Sequence, residues 1–139
     1  MTKATPRPHR ILVVDDEENI ALTLQLGLRR VKNCEVVTTS SSQQALAYFE
    51  EQTFDLLITD YMMPELDGMG LVTQIRRRYP ETPVIMITAY HNDRLEEQAS
   101  SIPIQCILDK PVELKTVRTA VSRILANQQS LSNPMAKAG

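Results

Sequence analysis

ILVVDDEEN, residues 11–19, joins an apolar run to a cluster of acidic residues. The run from Ile11 to Val14 is apolar without alternation, which is typical of a strand covered on both faces. Acidic residues occupy positions 15–18 directly after it. Like charges in a row repel one another, so the crowding costs free energy unless a cation compensates it. The stretch therefore predicts a buried strand whose carboxyl end carries a charged site.

The same strand pattern recurs along the chain and alternates with helical patterns. Apolar runs predict five strands, at residues 10–14, 34–38, 54–59, 83–88 and 104–108. Between them, apolar residues recur at helical steps of three and four. The helix expected over residues 92–101 has the weakest apolar stripe, only Leu95 and Ala99. This alternation predicts an α/β protein with a doubly wound, five-stranded parallel sheet in the order 2-1-3-4-5, the flavodoxin-like (βα)5 arrangement.

Length and composition favour a single domain with one core. The chain has 139 residues, of which 42% are hydrophobic. Its net charge of −2 excludes a strong overall footprint for nucleic acid. No apolar run is long enough for a signal peptide or a membrane span, so we expect a cytoplasmic protein without membrane contact. Cys34 and Cys106 are expected as buried, reduced side chains rather than as a disulfide.

The two ends of the chain lack a core-forming pattern. Residues 1–8 contain two basic residues and two prolines, and we expect them to form a disordered basic leader. Residues 9–127 are predicted to form the folded domain. Residues 128–139 are small and polar, and are expected to be a tail or the start of a linker.

Chemically active side chains follow the strands of the predicted sheet. Asp15 and Asp16 end the first strand, Asp60 ends the third, Thr88 ends the fourth and Lys110 follows the fifth. Because the carboxyl ends of parallel strands meet at one edge, these side chains should converge there. Three carboxylates in a cleft fit Mg²⁺, and a hydroxyl with an ammonium beside them fits a phosphoryl group. Asp60 stands alone on a central strand and is the best candidate for a phosphoryl acceptor.

Four segments carry a resemblance to a known family. The segments VVDDEEN, TDYMMPELDG, MITA and LDKP resemble, in order and spacing, the receiver domain of two-component response regulators. The resemblance spans roughly residues 9–127. It implies that Asp60 takes a phosphoryl group from the phosphohistidine of a sensor histidine kinase or a phosphotransfer protein. It also implies a switch that promotes its own phosphorylation and dephosphorylation, and is not an enzyme in the usual sense.

The resemblance also implies roles for the neighbouring residues. Mg²⁺ would be bound by Asp16, by Asp60 and by the backbone carbonyl of Met62, with Asp15 acting through water. Thr88 and Lys110 would contact the phosphoryl group. The peptide bond before Pro111 is often cis in this family.

Three positions depart from the family pattern. Ile107 replaces the aromatic residue that usually precedes the lysine by three positions, Pro103 lies where the family often has glycine, and Tyr90 is bulky for the rim of the site. Ile107 is stiff at χ1, and we expect it to stay buried in both states. Phosphorylation should then change the loop after strand 4, with Tyr90 as its visible residue, and helix 92–101 beside strand 5.

Two alternative functions use the same carboxylates. The first is a Mg²⁺-dependent phosphatase with an aspartyl-phosphate intermediate, which would need an acid/base residue at position 17 and leaves Asp60 without a role. The second is an interaction module that never takes phosphate, which the intact acidic set with Lys110 disfavours. The downstream output stays open, direct contact with nucleic acid is not expected, and a homodimer is possible.

Overall fold

The structure is a computed structural model that describes residues 7–132, with side chains described as far as Asn127. Five strands alternate with five helices: β1 (His9–Val14), α1 (Glu18–Leu28), β2 (Cys34–Thr39), α2 (Ser42–Glu51), β3 (Leu56–Asp60), α3 (Gly68–Arg78), β4 (Val84–Thr88), α4 (Asp93–Ser101), β5 (Cys106–Asp109) and α5 (Leu114–Ser132). All neighbouring strands pair in parallel, in the order β2-β1-β3-β4-β5. The predicted fold class and strand order are confirmed.

The sheet separates two apolar layers, which explains the absence of alternation in the central strands. In β1, Leu12 and Val14 face one buried cluster, whereas Ile11 and Val13 face the other. Every residue of β3 and β4 is buried. A strand covered by helices on both faces needs apolar side chains at odd and even positions alike. The carboxyl ends of β1 and β3 are therefore held in place by side chains that are packed on both faces of the sheet.

Local capping sets where three of the helices begin. The side chains of Ser41, Asp67 and Asn92 each accept a hydrogen bond from a backbone N–H in the first turn of the helix that follows. The weakly patterned helix of the sequence is α4, and Leu95 is its one fully buried residue among those described. Little apolar burial therefore holds α4 to the sheet.

Some predictions for individual residues were wrong. Ile107 was expected to be buried but is half-buried, because β5 lies at the edge of the sheet. Cys34 and Cys106 were also expected to be buried; both are free thiols and half-buried, on the two edge strands. Side chains on an edge strand are covered on fewer sides than those in the middle of the sheet.

The predicted domain limits meet the structure only in part. Residues 1–6 of the expected leader and residues 133–139 of the expected tail lie outside the described residues. Arg7, at the end of the leader, forms an ion pair of 2.9 Å with Asp55. Helix α5 continues to Ser132, five residues beyond the expected end of the domain at residue 127. Among residues 7–132, no helix combines the length and the apolar character needed to cross a bilayer.

Candidate functional site

Strand register brings the predicted site residues to one edge of the sheet. Val14 pairs with Thr59, Asp60 pairs with Ile87, and Thr88 pairs with Asp109. The residues that end or follow these strands therefore lie side by side. Asp15 and Asp60 are almost completely buried, whereas Asp16 is exposed at the rim.

Lys110 is the cation at the centre of this edge. Its Nζ lies 3.3 Å from Oδ2 of Asp15, 3.2 Å from Oδ2 of Asp60 and 3.0 Å from Oε1 of Glu17. The Lys110 side chain is 12% exposed, so these contacts are poorly screened by water. The contact with Glu17 was not predicted from the sequence.

Three carboxylates could hold a metal ion. One oxygen each from Asp15, Asp16 and Asp60 lie within 4.8 Å of one another. Oxygen ligands at such spacing suit a hard divalent cation such as Mg²⁺, which also keeps several water ligands. The backbone N–H of Glu17 donates to Oδ1 of Asp15 over 2.9 Å and fixes the orientation of that carboxylate. Met62, whose carbonyl was expected to be a ligand, follows β3 in a loop and has an exposed side chain.

The crowding of carboxylates shifts their proton affinities. Burial, together with the charge of Asp15, raises the pKa of Asp60 from 3.8 to about 6, although Lys110 acts in the opposite direction. Burial also raises the pKa of Asp15. For Lys110, burial alone would lower the pKa, but the hydrogen bond to Glu17 and the charges of Asp15 and Asp60 outweigh it and raise the pKa. The site therefore holds more negative charge than Lys110 compensates, which favours binding of a proton or a second cation.

Thr88 lies at this edge with its hydroxyl engaged in its own loop. Its Oγ1 accepts a hydrogen bond of 2.8 Å from the backbone N–H of Tyr90. Thr88 is 1% exposed, whereas Tyr90 is 62% exposed. Ile107 pairs with Met86 in the sheet and packs against the core cluster from its edge. This bond uses the Thr88 oxygen as the acceptor, so the hydroxyl proton can still be donated to another group.

Tyr61 links the strand end to α4, a contact that was not predicted from the sequence. Successive side chains of a strand point to opposite faces, so Tyr61 turns into the core beneath α4. It is 5% exposed, and its hydroxyl lies 3.0 Å from Oε1 of Gln98. Its backbone N–H donates to the carbonyl of Ile87 over 2.9 Å. A tyrosine placed directly after a strand-end aspartate was the one available signal.

Gly68 allows α3 to begin against the backbone of Asp60. A Cβ atom at position 68 would lie 2.3 Å from the carbonyl oxygen of Asp60, which no side chain tolerates without a backbone shift. The Gly68 N–H also donates to the Tyr61 carbonyl over 2.8 Å. This close approach fixes the backbone that carries Asp60.

Two further features surround the site. The peptide bond between Lys110 and Pro111 is cis, as the resemblance implied. His91, for which the sequence indicated no role, lies between the carboxylates of Asp109 and Glu96. These hydrogen bonds raise the pKa of His91 and connect the loop after β4 to α4 and to the end of β5.

Comparison with known proteins agrees with this geometry. The family described as the response regulator receiver domain matches residues 11–122, so the chain belongs to that family of two-component systems. It is 35% identical over 128 residues to the response regulator protein PilR of Pseudomonas aeruginosa, covering 92% of this chain and 28% of that protein. It is 32% identical over 120 residues to the alkaline phosphatase synthesis transcriptional regulatory protein PhoP of Bacillus subtilis, covering 86% and 50%.

Solved structures show the same fold. The signal receiver domain of an HD domain-containing protein from Pseudomonas fluorescens superposes with a TM-score of 0.83 at 29% identity, covering 89% of this chain and 99% of that one. The chemotaxis protein CheY4 of Vibrio cholerae gives a TM-score of 0.79 at 26% identity, covering 84% and 98%. The chain thus resembles complete receiver domains, but it spans only 28% and 50% of the lengths of PilR and PhoP.

The raised pKa of Asp60 predicts a pH-dependent stability. Between its unfolded value of 3.8 and its folded value of about 6, the folded state binds more protons, so stability falls as pH rises through that window. Without Mg²⁺, Asp60→Asn should stabilise the fold by roughly 1–3 kcal/mol near neutral pH, and the gain should vanish at about pH 4. Thermal unfolding of both proteins in a chelating buffer measures it. Asp93→Asn, an exposed control, should show no such trend, and a gain independent of pH contradicts the assignment.

Proposed function

We propose that this receiver domain is a phosphoacceptor switch in which Asp60 receives a phosphoryl group from the phosphohistidine of a sensor histidine kinase or a phosphotransfer protein. The observation that carries the proposal is the position of the Asp60 carboxylate. It lies at the end of a fully buried strand, 3.2 Å from the Lys110 ammonium and beside the carboxylates of Asp15 and Asp16. A cytoplasmic location is part of this proposal and follows from the proposed donor class.

The transfer requires Asp60 as a carboxylate. One of its oxygens attacks phosphorus, the P–N bond of phosphohistidine breaks, the imidazole leaves, and an acyl phosphate forms on Asp60. Lys110 can move from the carboxylates to an oxygen of the transferred group, where an ammonium stabilises the charge of the transition state. Thr88 can donate its hydroxyl proton to another oxygen, because its bond to Tyr90 uses Oγ1 only as an acceptor.

The acidic triad gives the site its metal requirement. The triad would hold Mg²⁺, whose charge would offset that of the carboxylates, lower the pKa of Asp60 and help to stabilise the negative charge of the transferred group. Asp16 and Asp60, together with the Met62 carbonyl, are proposed as direct ligands, and Asp15 as a ligand through water. The exposure of Asp16 puts one ligand where a hydrated cation can enter. Buried Asp15 instead keeps its hydrogen bond to Glu17.

The phosphatase alternative has less support in the geometry. It needs the residue at position 17 to transfer a proton, but the carboxylate of Glu17 is bound by Lys110 at 3.0 Å. It also leaves Asp60, a buried carboxylate whose pKa is raised to about 6, without a role. A module without phosphorylation would keep a costly cluster of buried carboxylates for no purpose. We therefore propose a switch that promotes only its own phosphorylation and dephosphorylation.

The acceptor assignment predicts a single modified residue. Incubation with Mg²⁺ and phosphoramidate should add one phosphoryl group to the parent chain, mapped to Asp60 by mass spectrometry after reductive trapping. Asp60→Asn should lower the yield by roughly a hundredfold or more, since an amide is a far weaker nucleophile. Asp93→Asn, which changes an exposed carboxylate on α4, should label as the parent does. Labelling of Asp60→Asn at another carboxylate would refute the assignment.

The metal assignment predicts different effects for two neighbouring acidic residues. Asp16 belongs to the triad, whereas Glu18 is exposed in the first turn of α1. Asp16→Ala should weaken Mg²⁺ binding by roughly tenfold or more, and Glu18→Ala by less than about threefold. The Mg²⁺-dependent rise in melting temperature gives the affinity of each variant. Equal losses, or a loss confined to Glu18→Ala, would overturn the ligand set.

The output surface is proposed to centre on α4 and the loop before it. Tyr61 follows the acceptor directly, and its hydroxyl contacts Gln98 on α4. Thr88 and Tyr90 share a hydrogen bond, so movement of Thr88 towards the phosphoryl group would act on the loop that holds Tyr90. The first connection reaches α4, which has the least apolar burial of the described helices, and the second reaches the loop that leads into it. Half-buried Ile107 has no polar group with which to exchange partners, so β5 should respond less.

Hydrogen exchange tests this route. Adding Mg²⁺ and beryllofluoride, a mimic of the phosphoryl group, should change protection mainly in residues 88–101. Tyr61→Phe keeps the ring but removes the hydroxyl, so it should reduce the change in α4 by roughly half or more. Tyr79→Phe is the matched control, because its hydroxyl makes a bond of the same length, 3.0 Å, to the carbonyl of Phe49. A response centred on β5, or equal effects of both variants, would exclude the route.

A further inference from the structure

A groove of about 750 Å³ runs between α5 and the turn that follows α1. His9, the first residue of β1, lines it, so the groove reaches the end of that strand remote from Asp15. Val31, Leu125 and Ala126 give it an apolar floor. The groove contains none of the acceptor-site residues and is a separate feature of the surface.

The lining of this groove contains no acidic residue. It contains five long basic side chains: Arg30, Lys32, Lys115, Arg118 and Arg123. Within the described part of the chain, none of the five takes part in an ion pair. Other arginines do find partners, since Arg7 pairs with Asp55 and Arg78 with Glu50. The chain as a whole carries a net charge of −2, so the positive charge of the groove is a local feature and does not reflect a basic protein overall.

Helix stability does not explain the cations on α5. Arg30 and Lys32 follow the carboxyl end of α1, where the helix dipole favours positive charge. Lys115 lies in the first turn of α5, where the dipole disfavours it, and that turn contains no acidic residue. Arg118 and Arg123 lie farther along the same helix, away from its carboxyl end, where the dipole would favour them. No ion pair among the described residues compensates the α5 cations, which favours a ligand that supplies negative charge.

We propose that this groove binds an acidic segment of a partner protein, with carboxylates on the α5 cations and an apolar side chain on the floor. The apolar floor fits a peptide, since interfaces combine an apolar centre with a charged rim. Single-stranded nucleic acid is disfavoured because no phenylalanine, tyrosine or tryptophan lines the groove for base stacking. The ends of this chain cannot supply the segment, because residues 1–6 and 133–139 contain no aspartate or glutamate.

A binding measurement tests the groove without any phosphodonor, so its outcome is independent of the proposed function. The probe is a fluorescein-labelled peptide that repeats glutamate and leucine at helical spacing, titrated with the full chain and followed by anisotropy. Saturable binding that weakens as salt rises is expected. The double variant Arg118→Glu/Arg123→Glu should weaken it by roughly tenfold or more.

A second double variant separates the groove from overall charge. Arg77→Glu/Arg94→Glu changes two exposed arginines on α3 and α4 and alters the net charge equally, so affinity should change by less than about twofold. If the groove variant does not fold, Arg123→Gln replaces it, with an expected loss of roughly threefold. The proposal is overturned if peptide binding does not saturate, if both double variants lose affinity for the peptide equally, or if random-sequence duplex DNA binds more tightly than the peptide. So does self-association that the groove variant abolishes while the peptide does not bind.

Discussion

The position of one ammonium group determines how this site works. Lys110 contacts carboxylates from the end of β1, from the start of α1 and from the end of β3 within 3.3 Å. Without it, buried Asp15 and Asp60 would face each other as uncompensated charges in a poorly hydrated place. With it, the compensation is still incomplete, since the pKa of Asp60 stays at about 6. Lys110 thus stabilises the cluster of carboxylates, and the remaining negative charge gives the site affinity for a further cation.

Rigid and loosely held parts meet at this edge of the sheet. The strands that carry Asp15 and Asp60 are buried on both faces, so added charge cannot be relieved by moving them. Helix α4 is different, because Leu95 is its only fully buried residue in the described structure. We therefore propose that a change at Asp60 is relayed to α4, which apolar burial holds least firmly among the described helices. Tyr61 provides a direct contact along this path through its bond to Gln98.

The sequence allowed the sheet order and the meeting of Asp60 with Lys110 to be predicted, because parallel strands bring their carboxyl ends to one edge. It did not allow the partner of Glu17 to be predicted, since a side chain at a helix start can turn either to solvent or to the cleft. The contact of Tyr61 with Gln98 depends on the packing angle of α4, which no local pattern encodes. The burial of Ile107 was overestimated, because its apolar side chain indicates burial but a residue on an edge strand is covered on fewer sides.

Helix α5 lies between the acceptor site, which Lys110 joins just before the helix begins, and the basic groove. Lys110 precedes the helix, and Leu114 begins it against α1, where a Cβ on Gly27 would lie 2.6 Å from the Leu114 side chain. Val117, Val121 and Leu125 then bury the inner face of α5 in the second core cluster. In the proposed function, exchange of carboxylates for phosphoryl oxygens would need only rotation of the Lys110 side chain. We therefore propose that α5 keeps its place on α1 and that the groove binds its partner in both states of Asp60.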